Sequence, residues 1–380
     1  MSAKPKIVFF HPYFSDGGVE RTNIGLARGL IGRGYEVTFV TIRPTEHYLA
    51  EVQSLGVEWV VLPANSTLTA QPHFVRWILK EKSLNAPKHA GLVVISCQYY
   101  VNLACLMFRV FWGGGVRHML SERNHPDEFL NRKGFKARAI RWLVRMLYSF
   151  ADTVIANSRE LADDLTVLTG RKVDVVYNPT LNERLYRLAD EEVTENWFCS
   201  ITSKTVLAVG RLSEQKDFVT LIRAFSIVRK VHDAKLLILG EGSERGVLEA
   251  LIVREELEKD VALPGFVENP YKFMKNADVF VLSSVYEGLP NVLIEALALK
   301  VPVVSTACRS GPTEILQGGS LGALVPVEDP VALAEAISSA LQECKLDSIT
   351  HDRIEKGLRR FTPENAVADL LATLEEMGTE

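Results

Sequence analysis

The sequence predicts an α/β protein built of two doubly wound parallel sheets, one in each half of the chain. Three observations carry that prediction. Short apolar, β-branched runs alternate with segments of helical periodicity, the pattern of repeated β–α–β units. The alternation runs its course twice, interrupted at residues 181–204 by a polar, charged and weakly periodic stretch. A length of 380 residues is long for one hydrophobic core and comfortable for two.

In the first half, Lys6 to Phe10 reads as a buried strand, and His11-Pro-Tyr-Phe-Ser-Asp-Gly-Gly18 as its carboxyl-end loop. Glu20 to Gly32 spaces Ile24, Leu26, Ala27, Leu30 and Ile31 as a helix does, and stops at glycine. Further strands are expected at Tyr35–Ile42, Val57–Leu62, Leu92–Ser96, His118–Ser121 and Thr153–Ala156. The domain boundaries drawn from this are 1–180 for the first unit, 181–204 for a linker, 205–360 for the second unit and 361–380 for a C-terminal helix. The second set of strands is expected at Thr205–Val209, Leu236–Leu239, Val261–Leu263, Val279–Leu282, Val301–Ser305 and Ala323–Val325, with helices such as Phe218 to Val231 between them. No shorter repeat and no low-complexity tract interrupts the scheme.

Composition narrows the class. The N-terminus, MSAKPKIVFF, moves straight into a strand without a signal-peptide pattern. The longest lipid-like run, Val101 to Trp112, contains Arg109 and is too short to span a bilayer. Five cysteines, Cys97, Cys105, Cys199, Cys308 and Cys344, are odd in number and form no CxxC, so reduced thiols and a cytoplasmic location are expected. Charge is divided unevenly. Residues 1–180 hold 22 Lys and Arg against 15 Asp and Glu, a net +7, whereas the remainder is −11. A basic half beside an acidic half predicts that the two meet different partners.

Two stretches in the second half carry chemistry. In Ala277 to Ala298, ADVFVLSSVYEGLPNVLIEALA, a buried strand runs into a loop bearing Glu287, and the helix from Asn291 bears Glu295. In an open α/β sheet, ligands bind at the carboxyl ends of strands, and the free N–H groups of a helix start favour an anion. Pro290 suits a first helical turn. The second stretch, Val209-Gly-Arg-Leu-Ser-Glu-Gln-Lys216, follows another strand. Arg211 can grip phosphate oxygens through its planar fork, and Lys216 supplies a point charge. Each stretch alone could be solvated surface charge; together they describe a site for an anionic leaving group. Gly17-Gly18 after the first strand permits a close backbone approach, or else serves a tight turn. Gly240-Glu-Gly-Ser-Glu-Arg-Gly246 falls one residue short of a match to the dinucleotide fingerprint, since its last gap is one residue too long.

Glu-x7-Glu with Gly-Leu-Pro-Asn inside it, following a strand and Ser-Ser, resembles the hallmark of the retaining family-4 glycosyltransferases, and Gly-Arg-Leu…Lys resembles the loop that accompanies it. The resemblance covers most of the chain and is strongest from Val206 to Val325. It implies the GT-B fold, two Rossmann-like domains facing a cleft, with the C-terminal helix crossing back to the first. It further implies that Gly17 and Gly18 meet the donor diphosphate, Glu287 the donor sugar and Glu295 the ribose hydroxyls. Phe266 and Val267 would flank the nucleobase, and Gly210, Gly288, Leu289, Asn291 and Val292 would complete the donor pocket around Arg211 and Lys216.

Ser121-Glu-Arg-Asn-His125 looks like the variant found in branches that build bacterial surface or lipid-linked glycans. It places Glu122, Arg123, Asn124 and His125 on the acceptor side, although it departs from the usual histidine position and leaves a catalytic role for His125 open. Asn157 and Asn178 read as structural.

The implied activity is retaining transfer of a hexose or N-acetylhexosamine from a nucleotide-sugar, UDP favoured, to a hydroxyl of a glycan or lipid-linked acceptor. With no Asp-x-Asp and no His/Cys cluster at metal spacing, neither metal nor cofactor is expected. A nucleotide-sugar epimerase of the same architecture and a non-catalytic binding subunit are the alternatives. No nucleic-acid partner is expected. Residues 133–145 combine Lys133, Lys136, Arg138, Arg141 and Arg145 with an apolar helix face, which predicts peripheral contact with an anionic membrane on the cytoplasmic side.

Overall fold

The structure is a computed structural model that describes residues 4–14, 17–43, 48–85, 89–124, 135–195, 198, 203–342 and 348–377. The chain divides into two compact units, Met1–Pro179 with Pro363–Glu380, and Thr180–Thr362.

Unit 1 carries a seven-stranded sheet of order β3-β2-β1-β4-β5-β6-β7. Its strands are β1 Lys6–Phe10, β2 Val37–Thr41, β3 Glu58–Val61, β4 Leu92–Cys97, β5 Val116–Glu122, β6 Thr153–Ala156 and β7 Asp174–Val175. Every pairing is parallel. Parallel strands covered by helices on both faces read as unbroken apolar runs, and KIVFF in β1 and LVVISC in β4 are buried at every position. The two-residue β7 has too little sequence to announce itself.

Pro363–Glu376 forms a helix that completes this unit rather than the second. Ala366, Val367, Leu370 and Leu374 share a core with Ile24, Ala27 and Leu30 of the helix Gly18–Gly32. The approach is close: a Cβ on Gly29 would lie 2.4 Å from Val367.

Unit 2 carries a six-stranded parallel sheet of order β10-β9-β8-β11-β12-β13. The strands are β8 Lys204–Val209, β9 Ala234–Leu239, β10 Val261–Gly265, β11 Val279–Leu282, β12 Val303–Thr306 and β13 Ala323–Val325. The stretch 181–195, set apart above as linker, belongs to this unit. Within it Glu183–Ala189 is a helix capped by Asn182, and Leu185 and Ala189 bury against Tyr271. Only those two positions of the helix are buried, which is why its periodicity is weak.

In each sheet the strand order reverses direction between two central neighbours, β1 and β4 in unit 1 and β8 and β11 in unit 2. Such a reversal splays the two following loops to opposite faces and opens a crevice at the carboxyl ends. The Gly17-Gly18 loop follows β1, whereas Gly210–Lys216 and Ser283–Pro290 follow β8 and β11.

Candidate active site

Because β8 and β11 are hydrogen-bonded neighbours, their carboxyl-end loops meet, and residues 71 apart in sequence come into contact. Lys216 closes a short 3-10 turn, Glu214–Lys216, and its Nζ donates to Glu287 Oε1 at 2.6 Å. Ser284 Oγ donates to the same carboxylate oxygen at 2.6 Å. Around this pair the loops are zipped by Val285 N to Gln215 O at 2.9 Å, Gln215 Nε2 to Tyr286 O at 3.0 Å and Ser283 Oγ to Lys216 O at 2.7 Å. Thr306 at the end of β12 steadies the set from below, its Oγ1 donating to Ser284 O at 2.6 Å. Glu287 is buried and Lys216 partly so. A carboxylate taken out of water in this way keeps its charge only with such donors. The Cys308 thiol nearby is pushed up to about 12, by burial and by the Glu287 carboxylate, with Thr306 and Lys216 opposing.

The lysine stem folds back over Gly210, where a Cβ would stand 3.1 Å from Lys216 Cε. Arg211 is exposed and its loop is fixed from the other side. Leu212 N donates to Glu241 O at 2.9 Å and Glu244 N to Leu212 O at 3.0 Å. Gly240 has φ +147°, and a Cβ there would fall 1.9 Å from Gly210 O. The glycine that suggested a dinucleotide turn is therefore required by backbone contact with the Arg211 loop.

Helix Asn291–Ala298 presents its first turn to the same loops, with Pro290 as its N-cap, one position earlier than the sequence suggested. Ser310 Oγ donates to Gly288 O at 3.0 Å, fixing the Gly288-Leu289 turn. Asn291 Oδ1 accepts from Thr180 Oγ1 at 3.0 Å, and Val292 beside it is half-buried. Glu295 is buried, with Oε1 accepting from Tyr271 OH at 3.1 Å. Phe266 follows β10 and is exposed, with Val267 half-buried beside it. Sequence reasoning missed Tyr271 and Thr306, which lie in no motif and come in through the fold alone; Ser310 lies in Ser310-Gly-Pro-Thr-Glu-Ile315, which resembles a family loop that accompanies Ser-Glu-Arg-Asn.

In unit 1, Gly17 has an ordinary extended φ of −98°, so its turn needs no special dihedral. It is glycine for space: a Cβ would lie 2.5 Å from Glu20 Oε2. Gly18 opens the helix Gly18–Gly32, and Glu20, in that helix's first turn, is buried 3.5 Å from His11 Nε2. Burial holds the His11 imidazole below its usual pKa, against the pull of Glu20.

Glu122 and Arg123 point into unit 1, one on each side of the end of β5. Glu122 Oε1 accepts from Asn102 Nδ2 at 2.7 Å and from the Tyr148 hydroxyl. Arg123 donates to Ser121 Oγ at 2.8 Å and Asn178 Oδ1 at 2.9 Å, while its own carbonyl accepts from Asn157. Asn157 and Asn178 thus hold the Arg123 segment in place. Asn124 is exposed, and His125 lies outside the described residues.

Residues 16–181 match the family described as Glycosyltransferase Family 4, and residues 203–343 the family described as Glycosyl transferases group 1. The N-acetylgalactosamine-N,N'-diacetylbacillosaminyl-diphospho-undecaprenol 4-alpha-N-acetylgalactosaminyltransferase of Campylobacter jejuni is 32% identical over 276 residues, spanning 72% of this chain and 73% of that protein. The lipopolysaccharide core biosynthesis glycosyltransferase LpsE of Rhizobium meliloti is 26% identical over 379 residues, 96% of this chain and 97% of LpsE. Among solved structures, Anabaena HepE in complex with UDP-glucose superposes with a TM-score of 0.79 at 18% identity, covering 98% of this chain and 99% of HepE. Sucrose-phosphate synthase of Thermosynechococcus elongatus gives 0.78 at 19% identity, covering 98% and 100%. With two doubly wound parallel sheets and these relatives, the chain belongs to the group 1 and family 4 glycosyltransferases and has the GT-B fold.

Proposed function

We propose that the protein is a retaining, metal-independent transferase that moves a hexose or N-acetylhexosamine from a UDP-sugar to a hydroxyl of a lipid-linked glycan. The observation that carries this is the Lys216–Glu287 contact at 2.6 Å, which joins a cation and a carboxylate at the switch point of the second sheet. An ammonium has three donors. One serves Glu287, leaving others for a phosphate oxygen. Arg211 and the first turn of helix Asn291–Ala298 add positive potential beside it.

When the bond from the anomeric carbon to the diphosphate breaks, its electron pair passes to the phosphate oxygen, where these groups stabilise the growing charge. The acceptor hydroxyl attacks from the face the diphosphate leaves, and its proton passes to that departing oxygen. The new bond keeps the donor's configuration. Glu287 accepts hydroxyls of the donor sugar, Glu295 those of the ribose, and Phe266 and Val267 line the base. Asn124 stands on the acceptor side, with Glu122 and Arg123 holding the end of β5 that bears it.

The choice of UDP is supported by HepE, solved with UDP-glucose. The acceptor class is supported by the Campylobacter relative, whose name carries a diphospho-undecaprenol-linked glycan. The test incubates purified protein with UDP-N-acetylhexosamines or UDP-hexoses and an undecaprenyl-diphosphate glycan in EDTA. An α-linked product from an α-linked donor is expected. A β-linked product, an isomerised donor, or activity lost in EDTA and restored by manganese would overturn the reading.

A further inference from the structure

Glu241 is exposed beside the wall read as flanking the nucleobase, yet its carboxylate is already spent. It stands in the turn after β9, and its Oε1 lies 2.9 Å from the place of a Cβ on Gly265, the residue before Phe266. Arg245, which opens the helix Arg245–Arg254, grips both carboxylate oxygens through its planar fork. Nε donates to Oε2 at 2.9 Å and Nη2 to Oε1 at 2.5 Å. The guanidinium is used up as well. Nη1 donates to Glu249 Oε1 at 3.0 Å, and Nη1 and Nη2 each reach Leu263 O at 3.4 Å, so five bonds occupy its five N–H groups.

The turn that carries Glu241 is locked on two sides. Leu212 N donates to Glu241 O, and a Cβ on Gly242 would fall 2.1 Å from Leu212 O. Gly240 N donates to Gly265 O at 2.9 Å. Backbone contacts with the Arg211 loop and with the end of β10 therefore already hold the turn, and solvent-exposed ion pairs add little to stability. The bonds to Arg245, and after them the Gly242 N–H, hold the Glu241 carboxyl below the usual carboxylate range against desolvation. At neutral pH the group is an anion.

A bare carboxylate at this place would read the edge of a base. Guanine offers two adjacent donors, N1–H and the N2 amino group, which match the two oxygens of one carboxylate. Uracil offers a single N–H between two carbonyls and has no use for such a pair of acceptors. With both oxygens taken, guanine would give up water and find no acceptor, and leaving polar groups unpaired discriminates strongly between ligands. We propose that Arg245 sets nucleotide specificity by masking Glu241, so that the pocket admits uridine diphosphate and rejects guanosine diphosphate. The inference rests on the nucleotide-sugar reading, with Phe266 and Val267 lining the base, and adds a reason for uracil that lies in this chain's own residues.

The experiment titrates the full chain with UDP and with GDP by calorimetry, without acceptor. Wild type is expected to bind UDP more tightly. Arg245→Gln removes the fork and bares Glu241, so the ratio of GDP to UDP affinity should rise about tenfold or more, the worth of a hydrogen bond to a charged group. Glu241→Ala/Arg245→Gln should return the ratio to that of wild type, because the carboxylate is gone. Arg245→Lys, whose single ammonium cannot fork both oxygens, should show a smaller rise, and it carries the test if Arg245→Gln melts below the assay temperature. A merely structural role for Arg245 would weaken both nucleotides alike and leave the ratio where it was.

An unmoved ratio in the folded Arg245 variants, with UDP still bound, overturns this inference alone. So does a rise that survives in Glu241→Ala/Arg245→Gln. Wild type that prefers GDP overturns both the inference and the choice of UDP. Wild type that binds neither nucleotide overturns the inference and counts against the transferase reading itself.

Discussion

Lys6 and Lys204 open corresponding strands, β1 and β8, each third in a sheet of the same winding. Lys6 is 3% exposed, its Nζ lying 2.9 Å from Glu36, 3.2 Å from Glu58 and 2.5 Å from Glu81. Lys204 is 55% exposed and has Asp278 at 2.8 Å. At the opposite ends of the same two strands the same division holds. After β1 come His11, Glu20 and Asn23, all buried, whereas after β8 come an exposed Arg211 and a partly exposed Lys216. One topology therefore places its charge where it supports the scaffold in unit 1, and where a ligand can reach it in unit 2. Charge sequestered in a unit's interior costs desolvation and must be fully paired; the exposed Arg211 and partly exposed Lys216 keep contact with solvent.

The largest effect that sharpens this contrast is expected at Lys6. Lys6→Ala strands the buried Glu81 beside two further carboxylates, and loss of a buried partner costs about 3–5 kcal/mol. Denaturant unfolding should show unit 1 destabilised by that amount. Burial alone would lower the Lys6 pKa, but its bonds to Glu81, Glu36 and Glu58 outweigh this and raise it well above 10.5. A raised amine pKa contributes stability in full below the unfolded value and loses it as pH climbs through the folded one. Burial would raise the Glu36 pKa, yet Lys6 and His89 hold it below 4.5, so its share is present above that value and fades as pH falls. Wild-type unit 1 should thus weaken above pH 10.5 and below pH 4.5, and Lys6→Ala should flatten the alkaline limb. An unchanged alkaline limb would show that the cluster contributes nothing.

At the other end of the comparison, Lys216→Ala should lower kcat by about 10²–10³, the equivalent of roughly 2.7–4 kcal/mol of transition-state stabilisation. Melting should fall as well, since the buried Glu287 loses its cation and keeps Ser284, so turnover is compared at a temperature where both proteins are folded. A variant with normal turnover removes Lys216 from the chemistry.

Gly17→Ala is expected to cost about 1–3 kcal/mol by overpacking against Glu20, expressed as lower kcat with unit 2's affinity for UDP unchanged. Adding Glu20→Ala should recover part of the loss, a coupling that a double-mutant cycle measures. Without recovery, the space argument for Gly17 fails. The smallest effect belongs to Lys204→Ala, about 0–1 kcal/mol for an exposed pair; a cost near that of Lys6→Ala would erase the contrast between the two strand starts.

Most of the fold was legible because buried parallel strands leave continuous apolar runs, as KIVFF and VFVL do. The unit 2 site was legible because its chemistry is concentrated in two loops, Gly210–Lys216 and Ser283–Asn291. What did not show was tertiary. Nothing near Tyr271 says that its hydroxyl reaches Glu295. The resemblance puts Glu122 and Arg123 on the acceptor side, yet both side chains turn into unit 1, each bonded to a residue distant in sequence, Asn102 and Asn178.

The C-terminal helix also fixes an order of events during synthesis. Unit 2 is contiguous, Thr180–Thr362, whereas unit 1 lacks part of its core until Pro363–Glu376 has been made. The domain that begins first is therefore the one that finishes last. Until Val367, Leu370 and Leu374 arrive, the facing residues Ile24, Ala27 and Leu30 have no cover, and nascent unit 1 presents apolar surface to aggregation and to chaperones. A chain stopped at Thr362 should yield a protease-resistant unit 2 joined to a readily cleaved unit 1; equal resistance in both would show that the last helix only decorates a core already closed.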